Sequence, residues 1–376
     1  MKMLINFSRF VVGTLFIFSG LIKANDPLGL SYKMQEFFEV WNFHWFDHFT
    51  LSFSILMIVF EIVAGFAVLL GWRMKIFSWL LLLLILFFIL LTGYAYFSGK
   101  IRECGCFGDC IPITAGQSFT KDLILVFLIL FVFLNRKKIK PLFGMVASVA
   151  ILLIVTILSF SFQWHVLGHL PLVDCLPYKV GTNIAESMKP RPGSKPDSVV
   201  TTFIYNKNGN RIEIVNNNFP KDFDESYKLI KREDKIVREG DNLPPIKDFS
   251  LTTQSGNDTT QDLLSQKSYR VFVFVRDLED ANPSWNKSFN LVWTFCKLRK
   301  IPVFFISARP EEVYPYLKNN NLEQAIQVLS CDATAIKTAA RANPTLYLIK
   351  NGIIFDKWGY ADFDRAILSL NEVKME

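Results

Sequence analysis

Histidine and cysteine are both scarce in this 376-residue chain, with four and six copies. No Cys-x-x-Cys pair occurs. A long block of basic residues is missing too, although the formal net charge is +7. Lysine and arginine gather instead at the ends of apolar segments, where they set membrane topology, so nucleic acid is excluded as the expected partner. No small-x-small cleavage site follows the first apolar stretch, which starts after Lys2 and holds Arg9. It is expected to remain as a helix. Charge is thin over residues 1–163, which are dense in Phe, Leu and Ile, whereas residues 176–376 read as ordinary soluble protein. That split excludes disordered and fibrous classes and points to a membrane protein with a polar tail.

Five apolar runs approach the ~20 residues that span a bilayer: Leu4–Ile22, Leu51–Gly71, Ile76–Tyr96, Phe119–Leu134 and Leu142–Phe162. Arg73 and Lys75 lie between the second and third runs, and Arg136, Lys137, Lys138 and Lys140 between the fourth and fifth. Both short basic loops are expected to face the cytoplasm together with Lys2. The loops Lys23–Thr50 and Phe97–Ser118, and everything after the fifth run, then face the other side. Met34–Phe49 mixes Trp and Phe with Glu36, Glu39 and Asp47, which suits a helix lying in the interface.

Beyond Trp164 hydropathy falls. Alternation in Val199–Tyr205 and Arg211–Val215, around Asn206–Asn210 with its Asn-Gly pair, predicts a β ribbon. From Leu243 onward the pattern predicts strands at Tyr269–Val275, Ile301–Ile306, Thr345–Ile349 and Ile353–Trp358. Helices are predicted at Ser284–Leu298, Glu311–Asn319 and Phe363–Leu370. That order makes a small layered domain of strands and helices.

All six cysteines fall on the non-cytoplasmic side of this topology, where disulfides persist. Cys104, Cys106 and Cys110 share one loop (CGCFGDC), and Cys175 follows the fifth run on the same side. Four readings stay open: a thiol–disulfide relay, structural disulfides, thiolate metal binding, and inert thiols. Pairing is open as well, since four cysteines allow three connectivities. A Cys104–Cys106 bond closes a very small, strained ring, and a bond of Cys104 or Cys106 with Cys110, or of either with Cys175, is easier. Cys296 and Cys331 read as small core residues. His44 and His48, like His165 and His169, stand four apart at the outer face. They read as interfacial anchors, with a metal pair as the alternative. Arg9 and Glu61 are intramembrane charges and are expected to pair across neighbouring helices or to take part in quinone or proton handling.

The first 135 residues resemble the DoxX and MauE family of membrane bundles. The resemblance is carried by Arg9, Val12-Gly13, Phe18-Ser19-Gly20, Lys23, Asp26-Pro27, Glu61, Gly65, Gly71 and Cys104-Gly105-Cys106-Phe107-Gly108. It implies a four-helix core to which the fifth span is an addition, and links to disulfide formation and to membrane oxidoreductase complexes, some quinone-linked. Residues from Leu243 resemble a thioredoxin-like domain of the TlpA type, through Pro244-Pro245-Ile246, Asp248-Phe249, Asn343-Pro344-Thr345-Leu346, Gly352 and Trp358. Where that fold keeps its redox cysteines, this chain reads RDLEDANPSW over Arg276–Trp285. The whole arrangement is similar to DoxX proteins of the Bacteroidota.

The expected architecture is an α-helical membrane bundle, a four-helix DoxX-like core plus a fifth span, over 1–163. A connector with a small β ribbon follows over 164–241, then an α/β thioredoxin-like domain without Cys-x-x-Cys over 242–376. The expected function is an inner-membrane thiol–disulfide oxidoreductase or electron relay. Cys104, Cys106, Cys110 and Cys175 would carry exchange with periplasmic or membrane partners, Asn343, Pro344 and Thr345 would dock a partner, and quinone is the candidate acceptor. The alternative is a non-enzymatic scaffold subunit of a periplasm-facing complex, and metal handling by the cysteine loop and histidine pairs is the weaker third idea.

Overall fold

The computed structural model describes residues 1–376 apart from 102–103, 196–197, 208, 216–217, 222, 239, 241 and 373–376. Among the described residues, five helices are long and apolar enough to cross a membrane. They are α1 (Lys2–Asn25), α3 (Thr50–Leu70, preceded by a 3-10 turn His44–Phe49), α4 (Met74–Ser98), α5 (Ala115–Leu134) and α6 (Met145–His169). Each overlaps an apolar run of the sequence, and α6 continues well past Phe162 to His169. Between α1 and α3 lies α2 (Pro27–Trp41), which starts and ends earlier than the expected interfacial stretch, whose later part is the 3-10 turn His44–Phe49. Its start is fixed locally: the Asp26 carboxylate accepts from the Gly29 amide, and Pro27 occupies the first turn.

α1 and α3 are the tightest pair. A Cβ added at Gly13 would lie 2.9 Å from the Gly65 carbonyl oxygen, and one at Gly65 only 2.8 Å from that of Gly13. Backbones approach this closely only where side chains are absent, the usual device for packing helices in lipid. Gly20 makes room for the Ile62 side chain, so the two helices run antiparallel in a fixed register.

The soluble part begins with the short helix α7 (Ile184–Ser187). A three-stranded antiparallel sheet follows, order β2-β1-β3, from β1 (Ser198–Lys207), β2 (Asn210–Val215) and β3 (Tyr227–Arg238). The expected Asn206–Asn210 turn includes residue 208, outside the described residues, but Lys207 and Asn210 pair across it. Phe203, Tyr205, Phe219, Phe223 and Tyr227 form its aromatic cluster.

The C-terminal domain holds α8 (Thr260–Leu264), β4 (Arg270–Val275), α9 (Trp285–Leu298), β5 (Val303–Ser307), α10 (Pro310–Asn319), β6 (Gln327–Ser330), α11 (Ala333–Ala339), β7 (Thr345–Lys350), β8 (Ile353–Gly359) and α12 (Phe363–Glu372). Its five strands run in the order β6-β5-β4-β7-β8, with β4, β5 and β6 parallel and β7 and β8 antiparallel. All six residues of β4 are buried, which marks a central strand covered on both faces. Val271, Val273 and Val275 pack with Trp285, Phe289 and Phe363 on one side. Phe272 and Phe274 pack with Phe249, Ile336 and Tyr347 on the other. Tyr178 and Ile184, from the stretch expected as connector, also belong to this second core. Cys296 and Cys331 are buried in opposite cores, each as a free thiol.

Candidate redox site

The cysteine loop joins α4 to α5 above one end of the bundle. Gly105 and Gly108 take positive φ (67° and 57°), and a 3-10 turn over Gly108–Cys110 brings the chain back toward the membrane helices. Cys110 is bonded to Cys175 across a Cα–Cα distance of 4.8 Å. The pairing corrects the expectation that Cys104 or Cys106 would bond Cys110 or Cys175: the turn brings Cys110 itself to Cys175 and leaves Cys104 and Cys106 free. Cys175 is held in place by Asn25 at the end of α1, whose side chain donates to the Val173 carbonyl (2.8 Å) and accepts from the Val173 amide (3.0 Å).

The two kinds of cysteine face different surroundings. Cys104 and Cys106 line an apolar cavity of about 510 Å³ between α2, α3 and α4, walled by aromatic side chains such as Phe37, Trp41, Phe60 and Phe88. Cys175 lines a second, polar groove of about 540 Å³, shared with Tyr32 and Glu36 of α2, Asp109, and Lys337 and Arg341 of the C-terminal domain. Lys33 borders both spaces, packed against Gly105, where a Cβ would approach its Cγ to 2.9 Å.

Burial pushes the Cys104 thiol up to about 12, and burial raises Cys106 as well, against the opposing pull of Lys121 and Lys23. A thiol with a raised value holds its proton in the folded state. Its contribution to stability is present below the unfolded value and is lost as pH rises through the folded one. In the reduced protein, iodoacetamide labelling of Cys104 should therefore rise about tenfold per pH unit from ~7 to ~10 without a plateau, because only the thiolate reacts. Peptide mass spectrometry across that range checks it. Levelling off near the ordinary ~8.5 would contradict the buried environment.

Beneath the loop lies a buried ion pair. Lys23 Nζ stands 2.5 Å from Glu61 Oε1, and both side chains are shut off from solvent. Ser19 Oγ lies 3.1 Å from Glu61 Oε2 and 3.1 Å from the Cys106 carbonyl oxygen, tying the pair to the loop. The expected Arg9–Glu61 contact is corrected: Arg9 Nη2 donates to the Leu69 carbonyl at 2.9 Å. The antiparallel register explains this, since Gly13 already lies against Gly65 and the end of α3 is what faces Arg9. Lys121 borders the same cavity and pairs with Asp122 (2.6 Å), which accepts from Thr92 (3.1 Å).

The C-terminal domain is docked on this end of the bundle. Arg341, nearly fully buried, reaches Asp26 (2.8 Å) at the α1–α2 junction and Asp109 (2.7 Å) beside Cys110, with Tyr32 below its guanidinium. Arg276 reaches the Tyr32 hydroxyl, Lys337 reaches Gln35, and His169 of α6 bonds Asp362 (2.8 Å) while stacking on His165. His44 lies 3.7 Å from Asp47 within its own turn.

Asn343, Pro344 and Thr345 are buried, and the Asn343–Pro344 peptide is cis. The Asn343 side chain accepts from the Arg276 amide (3.1 Å) and donates to the Asp277 carbonyl, fastening the Arg276–Trp285 loop to the proline turn. A 400 Å³ space at this turn is lined on its far side by Leu28 of α2, Leu51 of α3, and Trp164 and Leu167 of α6. The surface expected to receive a partner thus faces this chain's own bundle.

The structure brings Cys104, Cys106, Cys110, Cys175 and Glu61 together at one end of the bundle and leaves Arg9 at the other. Sequence reasoning missed Arg341, Lys33 and Lys121. Asp109 carried a signal, an acid placed directly before a loop cysteine.

Comparison with known proteins gives a matching picture. Residues 1–135 match the family described as methylamine utilisation protein MauE. Residues 199–239, the three-stranded sheet, match a domain of unknown function, DUF8463. Protein TlpB of Flavobacterium psychrophilum is 25% identical over 154 residues, which are 40% of this chain and 42% of that protein. The match thus spans less than half of that relative. No solved structure matches the chain. Residues 1–135, with the loop that carries three of the six cysteines, form a MauE-like membrane domain.

Proposed function

We propose that the protein is an inner-membrane thiol–disulfide oxidoreductase that relays electrons from periplasmic thiols toward the bilayer. The observation that carries this reading is the division of the cysteines. The Cys110–Cys175 disulfide is half-exposed at an open polar groove, and two free thiols on the same loop line an apolar cavity. A partner thiolate attacks the outer bond, and its second thiol resolves the mixed disulfide. The partner leaves oxidised, with Cys110 and Cys175 as thiols. These pass two electrons and two protons to a Cys104–Cys106 disulfide, which a lipid-soluble two-electron acceptor regenerates. The small ring suits its place, since strained disulfides are the oxidising, labile ones. The orientation is supported by Leu142 donating to the Leu70 carbonyl, which gathers both basic connections at the end opposite the cysteines.

A second reading has its own observation. The disulfide pins the loop to the segment leaving α6, beside Asp109 and Arg341, as a staple in a scaffold subunit would. Thiol trapping in intact cells after a brief pulse of reductant separates the two. On the relay reading, Cys110–Cys175 opens and closes again within minutes, and Cys104→Ser/Cys106→Ser slows closure about tenfold or more. A bond that resists the pulse, or recloses at the same rate in that variant, favours the staple.

A further inference from the structure

The apolar cavity under the cysteine loop has features that a structural void does not need. It holds about 510 Å³, within the usual range of small-ligand sites. Its walls combine aromatic side chains, Phe37, Trp41, Phe60 and Phe88 among them, with leucine and methionine. Phe53, Leu56 and Phe87 line it and are also exposed on the outside of the bundle, so the space reaches the lipid-facing surface between α3 and α4. Its polar groups are few. Two thiols meet the ammonium groups of Lys23, Lys33 and Lys121, each a three-donor group already steadied by a carboxylate.

We infer that this cavity is a binding site for a quinone-class lipid, its ring among the aromatic side chains, its carbonyl oxygens toward the lysines, and its tail leaving between α3 and α4. A flat apolar ring with hydrogen-bond acceptors satisfies walls and polar groups together, and a lateral opening suits a ligand that lives in the bilayer. For the electrons, the inference rests on the relay proposed above. The Cys104 and Cys106 thiols lose two S–H bonds and form one S–S bond. The quinone gains two electrons and two protons and leaves as the quinol.

The test uses the full chain in lipid nanodiscs and decylubiquinone as the probe. Binding is read from quenching of tryptophan fluorescence, with Trp41→Phe to identify the cavity's own signal. Chemistry is read from quinol absorbance and from alkylation of Cys104 and Cys106. Met57→Phe/Leu84→Phe narrows the cavity, and Leu83→Phe, on the exposed side of α4, is the control. Saturable quenching is expected, with Kd raised about tenfold or more in the narrowed variant and unchanged in the control, and one quinol formed per pair of thiols lost. Should the narrowed variant fail to fold, loss of the saturable signal in Trp41→Phe still places the ligand. Saturable binding without thiol oxidation would uphold the site and overturn the relay. Quenching that never saturates, or that ignores both Trp41→Phe and the narrowed cavity, would overturn the site, whatever the thiols do.

Discussion

Replacing Arg341 with alanine is expected to weaken the docking of the C-terminal domain by roughly 3 kcal/mol, the low end for breaking a buried ion pair. The guanidinium is shared by Asp26 and Asp109, and nothing else described neutralises Asp26. The low end applies because Asp109 is 30% exposed and regains water, whereas Asp26, at 12%, does not. Burial already holds the Asp26 carboxyl above its ordinary range, with Asp109 adding to the effect and Arg341 opposing it. Without the arginine it rises further. A carboxyl raised in the docked state favours docking at low pH and loses that contribution as pH rises through the docked-state value. The variant should therefore dock better near pH 5 than near pH 8, and Asp26→Asn/Arg341→Met should recover much of the loss. Hydrogen exchange over α2 and α11 at the two pH values is the measurement. Unchanged protection in Arg341→Ala would remove the latch from the account.

The second large effect belongs to the pair inside the bundle. Lys23→Met alone, or Glu61→Leu alone, strands a charge in an apolar setting and should cost roughly 3–5 kcal/mol, whereas the two together should be close to neutral. Thermal unfolding in detergent of the three variants tests the coupling. Ser19 adds a local consequence, because its hydroxyl joins Glu61 to the Cys106 carbonyl. Glu61→Leu should therefore also change the alkylation rate of Cys106, while a mutation of equal cost in the C-terminal core, such as Phe289→Ala, should not.

How much of this was legible in one dimension depends on the kind of signal. The five spans and the central strand of the C-terminal domain are long apolar runs, and they lie where the sequence places them. Strand β3 (YKLIKREDKIVR) was not foreseen, since it pairs only with β1 and carries charge along most of its length, so no alternation marks it. β6 and α11 are four and seven residues long, too short for a period to emerge. The cysteine loop announced itself by density alone. Arg341 did not: it lies 315 positions from Asp26, in a stretch of small residues, and only the docked fold gives its charge a meaning. Glu61 was recognisable as costly in lipid, but its partner depended on helix register, which close glycine contacts set and hydropathy does not.

The Cys110–Cys175 bond closes a covalent ring that contains the whole of α5 and α6, 65 positions from one sulfur to the other. Both helices must have crossed the bilayer before the two sulfurs can meet, so the bond records completed insertion of the second half of the bundle. A cut between α5 and α6 would leave two pieces still joined. The ring also reroutes mechanical load. A pull on the soluble domain is carried from Cys175 straight to Cys110 and on to α4, sparing α5 and α6 until the bond is reduced, whereupon α6 takes the strain alone.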